Sequence, residues 1–175
     1  MALVDRTGRV VGSAERPVVR RENLLHAATA VLVRDPGGRI YVHRRSPDKD
    51  WAADHHDAAA GGVLMIGEEP APAAARELAE ELGITGATLE PLGVSVYEDD
   101  TTRCVEHCFQ TTWDGPVRHA DGEVVWGDWM TLADLDAHLA SLDWRFVPDT
   151  RALLTRLAVD EVDDYGQLTS LRSPS

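Results

Sequence analysis

Residues 62–84 read Gly62-Val-Leu-Met-Ile-Gly67-Glu68-Glu69-Pro70-Ala-Pro72-Ala-Ala-Ala-Arg76-Glu77-Leu78-Ala79-Glu80-Glu81-Leu82-Gly83-Ile84. From Pro70 onward, apolar residues recur at 71, 74, 75, 78 and 82, the spacing of one face of an α-helix. Both prolines fall in the first turn, where a missing N–H does no harm, and Gly83 follows the last turn, where a left-handed cap is easiest without a Cβ. The spacing predicts a helix over 70–82. Glu77, Glu80 and Glu81 stand in an i, i+3, i+4 relation and share a face of it. Three like charges repel, and a hard divalent cation among them relieves that repulsion. Oxygen donors with no clustered His or Cys favour magnesium or manganese over zinc. For an isolated Arg-Glu-x-x-Glu-Glu run the alternative is a merely solvated acidic face. Just ahead of the helix, Gly61 and Gly62 allow a loop to come close to it.

Working outward, His26–Arg34 (HAATAVLVR) and Arg39–Arg45 (RIYVHRR) are rich in strand formers and flank Asp35-Pro36-Gly37-Gly38, a turn signal. They are expected to pair as antiparallel strands. Ahead of them, Val4-Asp5 and Arg9-Val10-Val11 around Arg6-Thr7-Gly8 predict a small N-terminal β-hairpin extension. Beyond the helix, strands are expected at about 89–97, 103–112 and 123–130, with turns at Glu98-Asp99-Asp100 and Asp114-Gly115-Pro116. Thr131 with Asp134 makes a weak capping box that opens a second helix, and Pro148 opens a third. The sum is an α/β fold, a mixed sheet with helices packed on it. A single domain is expected over 1–160, followed by a C-terminal tail over 161–175 whose Ser-rich end after Leu171 is expected to fray.

Composition narrows the function. A chain of 175 residues suits one hydrophobic core. Its apolar runs are short, well below the roughly 18 residues that cross a bilayer. The opening MALVDRTGRVVGS lacks the continuous apolar stretch of a secretory signal, so the cytoplasm is the expected address. Cys104 and Cys108 are too few for a disulfide framework and lack a second zinc-ligand pair; both read as reduced thiols in or near the core. A net charge of -13 argues against nucleic-acid polymers and anionic membranes as partners, and suits cation binding by carboxylates. The positive charge is nearly all arginine, with Lys49 the only lysine. The run Arg44-Arg45-Ser46-Pro47-Asp48-Lys49 is therefore a local basic cluster suited to an anionic group, which Arg103 could join; the plain alternative is a set of solvated cations at a strand end.

The stretch 62–84 resembles the Nudix box at every position: Gly, five residues, Glu, seven residues, Arg-Glu, an aliphatic residue, any residue, Glu-Glu, any residue, Gly and an aliphatic residue. At roughly 6% usage per residue type, so many fixed positions leave chance a negligible share. The resemblance implies the Nudix α/β/α sandwich and a magnesium-dependent hydrolase, manganese being the other candidate, that splits a diphosphate linkage in a small organic or nucleotide molecule. It implies Glu77, Glu80, Glu81 and the Gly61 carbonyl as metal ligands. Arg76 would pair with Glu68 to brace the loop against the helix, with Gly62 and Gly83 as structural positions. The proton acceptor would be a box carboxylate, Glu80 or Glu81, or else Glu123, where several relatives place the base. The expected partner is a small diphosphate substrate, and a homodimer is the assembly considered.

Outside the box, the opening VD..GRVVG, LLHAATAVLV, HRRSPDK and FVPDT are similar to the branch related to isopentenyl-diphosphate isomerase, whose basic segment binds diphosphate. Where those isomerases carry a catalytic cysteine and, two residues on, a metal-binding histidine, this chain has Ala60-Gly61-Gly62; where they place two glutamates, it has Cys104, Glu106 and Cys108. Isomerisation of an alkene needs a proton donor and an acceptor on opposite faces. The hydrolase reading is therefore preferred over an isomerase-like enzyme or a non-catalytic nucleotide-binding protein. His26 matches an isomerase metal ligand but its companion position is Val19, which favours a structural role. His55 and His56 read as loop residues, and Trp126 and Trp129 as core or pocket wall.

Overall fold

The structure, a computed structural model, describes residues 1–119, 122–141 and 143–172. Among the described residues nine strands and four α-helices follow in the order β1 (Ala2–Val4), β2 (Val10–Ser13), α1 (Arg16–Glu22), β3 (His26–Arg34), β4 (Ile40–Arg45), β5 (His56–Asp57), β6 (Ala59–Ala60), α2 (Pro70–Leu82), β7 (Glu90–Glu98), β8 (Arg103–Thr112), β9 (Val124–Met130), α3 (Leu132–Leu139) and α4 (Pro148–Val159). The class is α/β, as expected. No helix among the described residues is long and apolar enough to cross a membrane. The chain folds as two compact units: one from Met1–Leu32, Ala60–Thr111 and the described part of Gly115–Ala120, the other from Val33–Ala59, Thr112–Asp114 and the described part of Asp121–Ser175.

In the first unit, the β1–β2 hairpin forms with Leu3 opposite Gly12, and β1 pairs onward with β3 through Leu3 and His26. The hairpin is more than an appendage: Ala2 and Val4 pack with Ala27, Leu64, Ala73 and Val105 in one apolar cluster. Every residue of β3 is buried, which its small and branched side chains allow. β8 pairs with β3 and with β7, the latter from Glu90 opposite Gln110 to Glu98 opposite Arg103. α2 spans the expected residues, with Pro70 at its start and Gly83 left-handed at φ 66° as its cap. Its buried face differs from the expected stripe. Ala71 and Ala75 are exposed, while Ala73 and Glu81 join Ala74, Leu78 and Leu82 inside. The helix is rotated so that part of its acidic side faces inward. α1, which no sequence signal singled out, starts at Arg16 with Pro17 in its first turn and ends on left-handed Asn23.

In the second unit, Arg34 and Ile40 pair across the Asp35–Gly38 turn, where the Asp35 carboxylate accepts the Arg39 N–H at 2.8 Å and Gly38 takes φ 84°. β4 then pairs with β9, from Ile40 opposite Met130 to Arg45 opposite Val124, and with β5. Thr131 caps α3, its hydroxyl accepting the Asp134 N–H at 3.1 Å, and Pro148 opens α4. Leu135, Leu139, Leu153, Leu154 and Leu157 are buried, each side chain contributing roughly 1.5–3 kcal/mol to folding. Residues 161–172 carry two 3-10 turns, with Tyr165, Leu168 and Leu171 buried. Arg34 explains the anchoring: it donates two 2.8 Å hydrogen bonds to Asp164 and lies over the Tyr165 ring at 5.0 Å. Residues 173–175 lie outside the described residues.

Candidate functional site

The box carboxylates are held by one arginine and one loop. Arg76 Nη1 donates to Glu77 Oε1 at 2.7 Å and to Glu80 Oε2 at 3.1 Å, bringing those two carboxylates to one nitrogen. The rest of the guanidinium reaches Glu68, Nε to Oε1 at 3.3 Å and Nη2 to Oε2 at 3.4 Å. The implied Arg76–Glu68 brace is thus present. Glu68 also accepts the Met65 N–H at 2.7 Å; that bond first, then Arg76, lowers its pKa from the ordinary carboxylate value.

Glu81 is 2% exposed, and its Oε2 accepts the Gly61 N–H at 3.1 Å. A Cβ at Gly61 would lie 2.0 Å from the Thr29 carbonyl oxygen, and one at Gly62 would lie 2.4 Å from the Glu77 carboxyl carbon. Thr29 N–H in turn donates to the Gly62 carbonyl at 2.8 Å. Glycine is required at 61 by the backbone of β3, while a Cβ at 62 would displace the Glu77 carboxylate. The Glu77 side chain is 14% exposed and that of Glu80 is 52% exposed, so Glu80 is the carboxylate open to solvent. Glu77 and Glu80 thus meet on one arginine and Glu81 on the glycine loop; all three offer oxygen donors, the ligand type that hard divalent cations take.

The other candidates from the sequence have partners of their own. Arg103 bonds Glu98 at 3.0 Å, and Glu98 also receives Arg6; the two arginines close the end of the β7–β8 hairpin. His26 is buried with Nδ1 3.0 Å from the Leu24 carbonyl, and burial lowers its pKa. Cys104 and Cys108 are buried and form no disulfide; the Cys108 thiol donates to the Glu106 carbonyl at 3.6 Å. In the second unit every cation of the basic run meets a carboxylate. Arg44 Nε donates to Asp54 at 2.8 Å, Arg45 lies 3.7 Å from Asp57, and Lys49 pairs with Glu123.

Sequence reasoning missed what surrounds Asp57. Its carboxylate accepts the Thr150 hydroxyl at 2.7 Å and the Ala59 N–H at 3.0 Å. Beside it Asp149, half-buried as a residue, has its carboxyl pKa pushed up to about 7, first by desolvation and then by the charge of Asp57. Asp149 and Thr150 belong to the noted FVPDT run, but nothing local announces a partner so distant in sequence. Trp129 meets Tyr41 edge-on at 5.1 Å, and Trp126 is 44% exposed, so the core reading fails for Trp126. His56 does not stay in a loop. It forms β5 and stacks on Trp144 at 4.6 Å.

A Nudix domain model matches residues 24–152, a span that contains the whole box. The chain belongs to the Nudix hydrolase family. This Nudix hydrolase is 43% identical over 164 residues to the Nudix hydrolase orf19 of Rhodococcus erythropolis, covering 88% of this chain and 89% of the relative. It is 33% identical over 148 residues to the Nudix hydrolase YfcD of Escherichia coli strain K12, covering 85% and 80%. Among solved structures it resembles the protein DR0079 of Deinococcus radiodurans, with a TM-score of 0.74 at 25% identity over 89% of this chain and 96% of that one. The MutT protein of Methanosarcina mazei Go1 follows with a TM-score of 0.66 at 20% identity, covering 79% and 96%. The fold is accordingly the Nudix fold that the box implied.

Proposed function

We propose that this Nudix hydrolase splits a diphosphate linkage in a small organic or nucleotide molecule, using magnesium or manganese. The observation that carries the reading is the convergence of Glu77 and Glu80 on Arg76 while Glu81 is fixed to the Gly61 N–H. Glu77, Glu80 and Glu81 would hold the cation, joined by the Gly61 carbonyl. When bound, it supplies Lewis-acid stabilisation of charge on phosphate oxygens and lowers the pKa of water. The chain's own residues do the rest. Arg76, anchored by Glu68, orients Glu77 and Glu80 and offsets their mutual repulsion. Glu80, the exposed member, accepts the proton of the attacking water, while Glu81 is kept in place by its hydrogen bond. Lys49, with Arg44 and Arg45 beside it, is the proposed phosphate contact of the second unit.

The test is a phosphate-release screen in magnesium over nucleoside diphosphate sugars, dinucleotides, coenzyme A, prenyl diphosphates and oxidised nucleotides. Activity should vanish with chelator. Glu80→Gln and Glu81→Gln should each lower kcat by several orders of magnitude with an unchanged circular-dichroism spectrum. Full activity in both variants would refute the assignment.

A further inference from the structure

The chain has one lysine, and it is closed by a carboxylate of its own unit. Lys49 Nζ contacts Glu123 Oε2. The backbone enforces the meeting: Ser46 N–H donates to the Glu123 carbonyl at 2.8 Å, and Lys49 N–H donates to the Ser46 carbonyl at 3.3 Å. The Ser46 hydroxyl accepts the Asp48 N–H at 3.2 Å, tightening the same turn. The turn that carries the ammonium is thus pinned to the residue that neutralises it. The two side chains differ in exposure, 14% for Lys49 and 46% for Glu123. The cation is enclosed, while the anion faces water.

We infer that Glu123 is an internal counter-ion that occupies the anion position of Lys49 and is displaced by a phosphate group of the ligand. This rests on the reading of Lys49 as a phosphate contact. An enclosed ammonium without a partner is costly, so a counter-ion is needed whenever no ligand is bound. An ion pair with a solvent-facing partner is weak, worth up to about fivefold in an equilibrium constant. A multiply charged phosphate, with more acceptor oxygens than a carboxylate, displaces it, whereas a singly charged anion gains little by the exchange. Glu123 therefore sets a charge threshold. It tunes which anions the basic run admits, and its role is that of a specificity-determining residue.

The experiment is titration of the full chain with inorganic pyrophosphate in chelator, followed by calorimetry, so that no divalent cation contributes. Glu123→Gln keeps the side-chain shape and removes the competing charge. It should bind pyrophosphate roughly twofold to fivefold more tightly than wild type and should admit acetate more readily. Lys49→Ala should bind weakly whether or not Glu123→Gln is present. Equal or weaker pyrophosphate binding by Glu123→Gln, or no detectable binding to it, overturns the proposal. Should Lys49→Ala match wild type, the phosphate reading of Lys49 fails as well. Should Lys49→Ala weaken binding while Glu123→Gln changes nothing, only the counter-ion role falls.

Discussion

A methyl group at position 61 would collide with backbone, and one at position 62 with the end of a side chain. The difference has a measurable outcome. The Thr29 carbonyl cannot move without disturbing β3, so Gly61→Ala should cost about 1–3 kcal/mol as an overpacking substitution. For a domain of this size that is roughly 2–4 °C in Tm per kcal/mol. Gly62→Ala displaces only the Glu77 carboxylate, so it should melt close to wild type yet lose most of its kcat. Identical melts for the two variants would contradict the geometry. Asp149 gives a second prediction. Its carboxyl titrates near 7 in the folded chain against an ordinary value of 3.8. Between those values the folded state keeps a proton that the unfolded state has released, so stability falls as pH rises through this window. Below about 3.8 both states are protonated and the effect is absent. Urea unfolding midpoints should therefore decline from pH 4 to pH 8 in wild type and less so in Asp149→Asn; parallel profiles would remove Asp149 as the cause. The Arg76–Glu68 brace was implied by the resemblance of residues 62–84 to the Nudix box, which contains both of its ends. The Asp57–Thr150 bond was not, because 93 residues separate its ends.

Among the elements, legibility followed local physics. α2 and the start of α3 agree with expectation because prolines, a capping threonine and a terminal glycine fix helix ends through neighbouring residues. Thr131→Ala removes that cap and should destabilise the chain by about 1 kcal/mol, read as a lowered urea midpoint with an unchanged slope. A loss within error would mean that packing alone holds α3. The rotation of α2 escaped detection for a different reason. Alanines on both sides of the helix make periodicity a weak guide, and what decided the face was the glycine loop pressed against Glu77 and Glu81. The turns over 161–172 were hidden by polar composition, because the side chains that anchor them, Tyr165, Leu168 and Leu171, are spaced three apart among charged and small residues.

For the whole molecule, the family was legible from one motif, while the ligand's organic part has no equivalent signature. Isomerisation of isopentenyl diphosphate is the reaction that the chain should fail to catalyse. Ala60 offers no thiol, and no side chain fits at position 62 with Glu77 where it stands. Incubation with that substrate and magnesium should yield no dimethylallyl diphosphate; enzyme-dependent product would overturn this. The pairing of β4 with β9 has one more consequence. Arg45 and Val124 are neighbours in space, yet about 80 residues are translated between them. At roughly 5–20 residues per second, β4 leaves the ribosome on the order of 4–16 s before its partner exists. During that interval a buried run, Ile40 to His43, offers an open edge to any other nascent chain. Slower elongation lengthens the exposure, so soluble yield should depend on translation speed and chaperone supply even where the finished fold is stable.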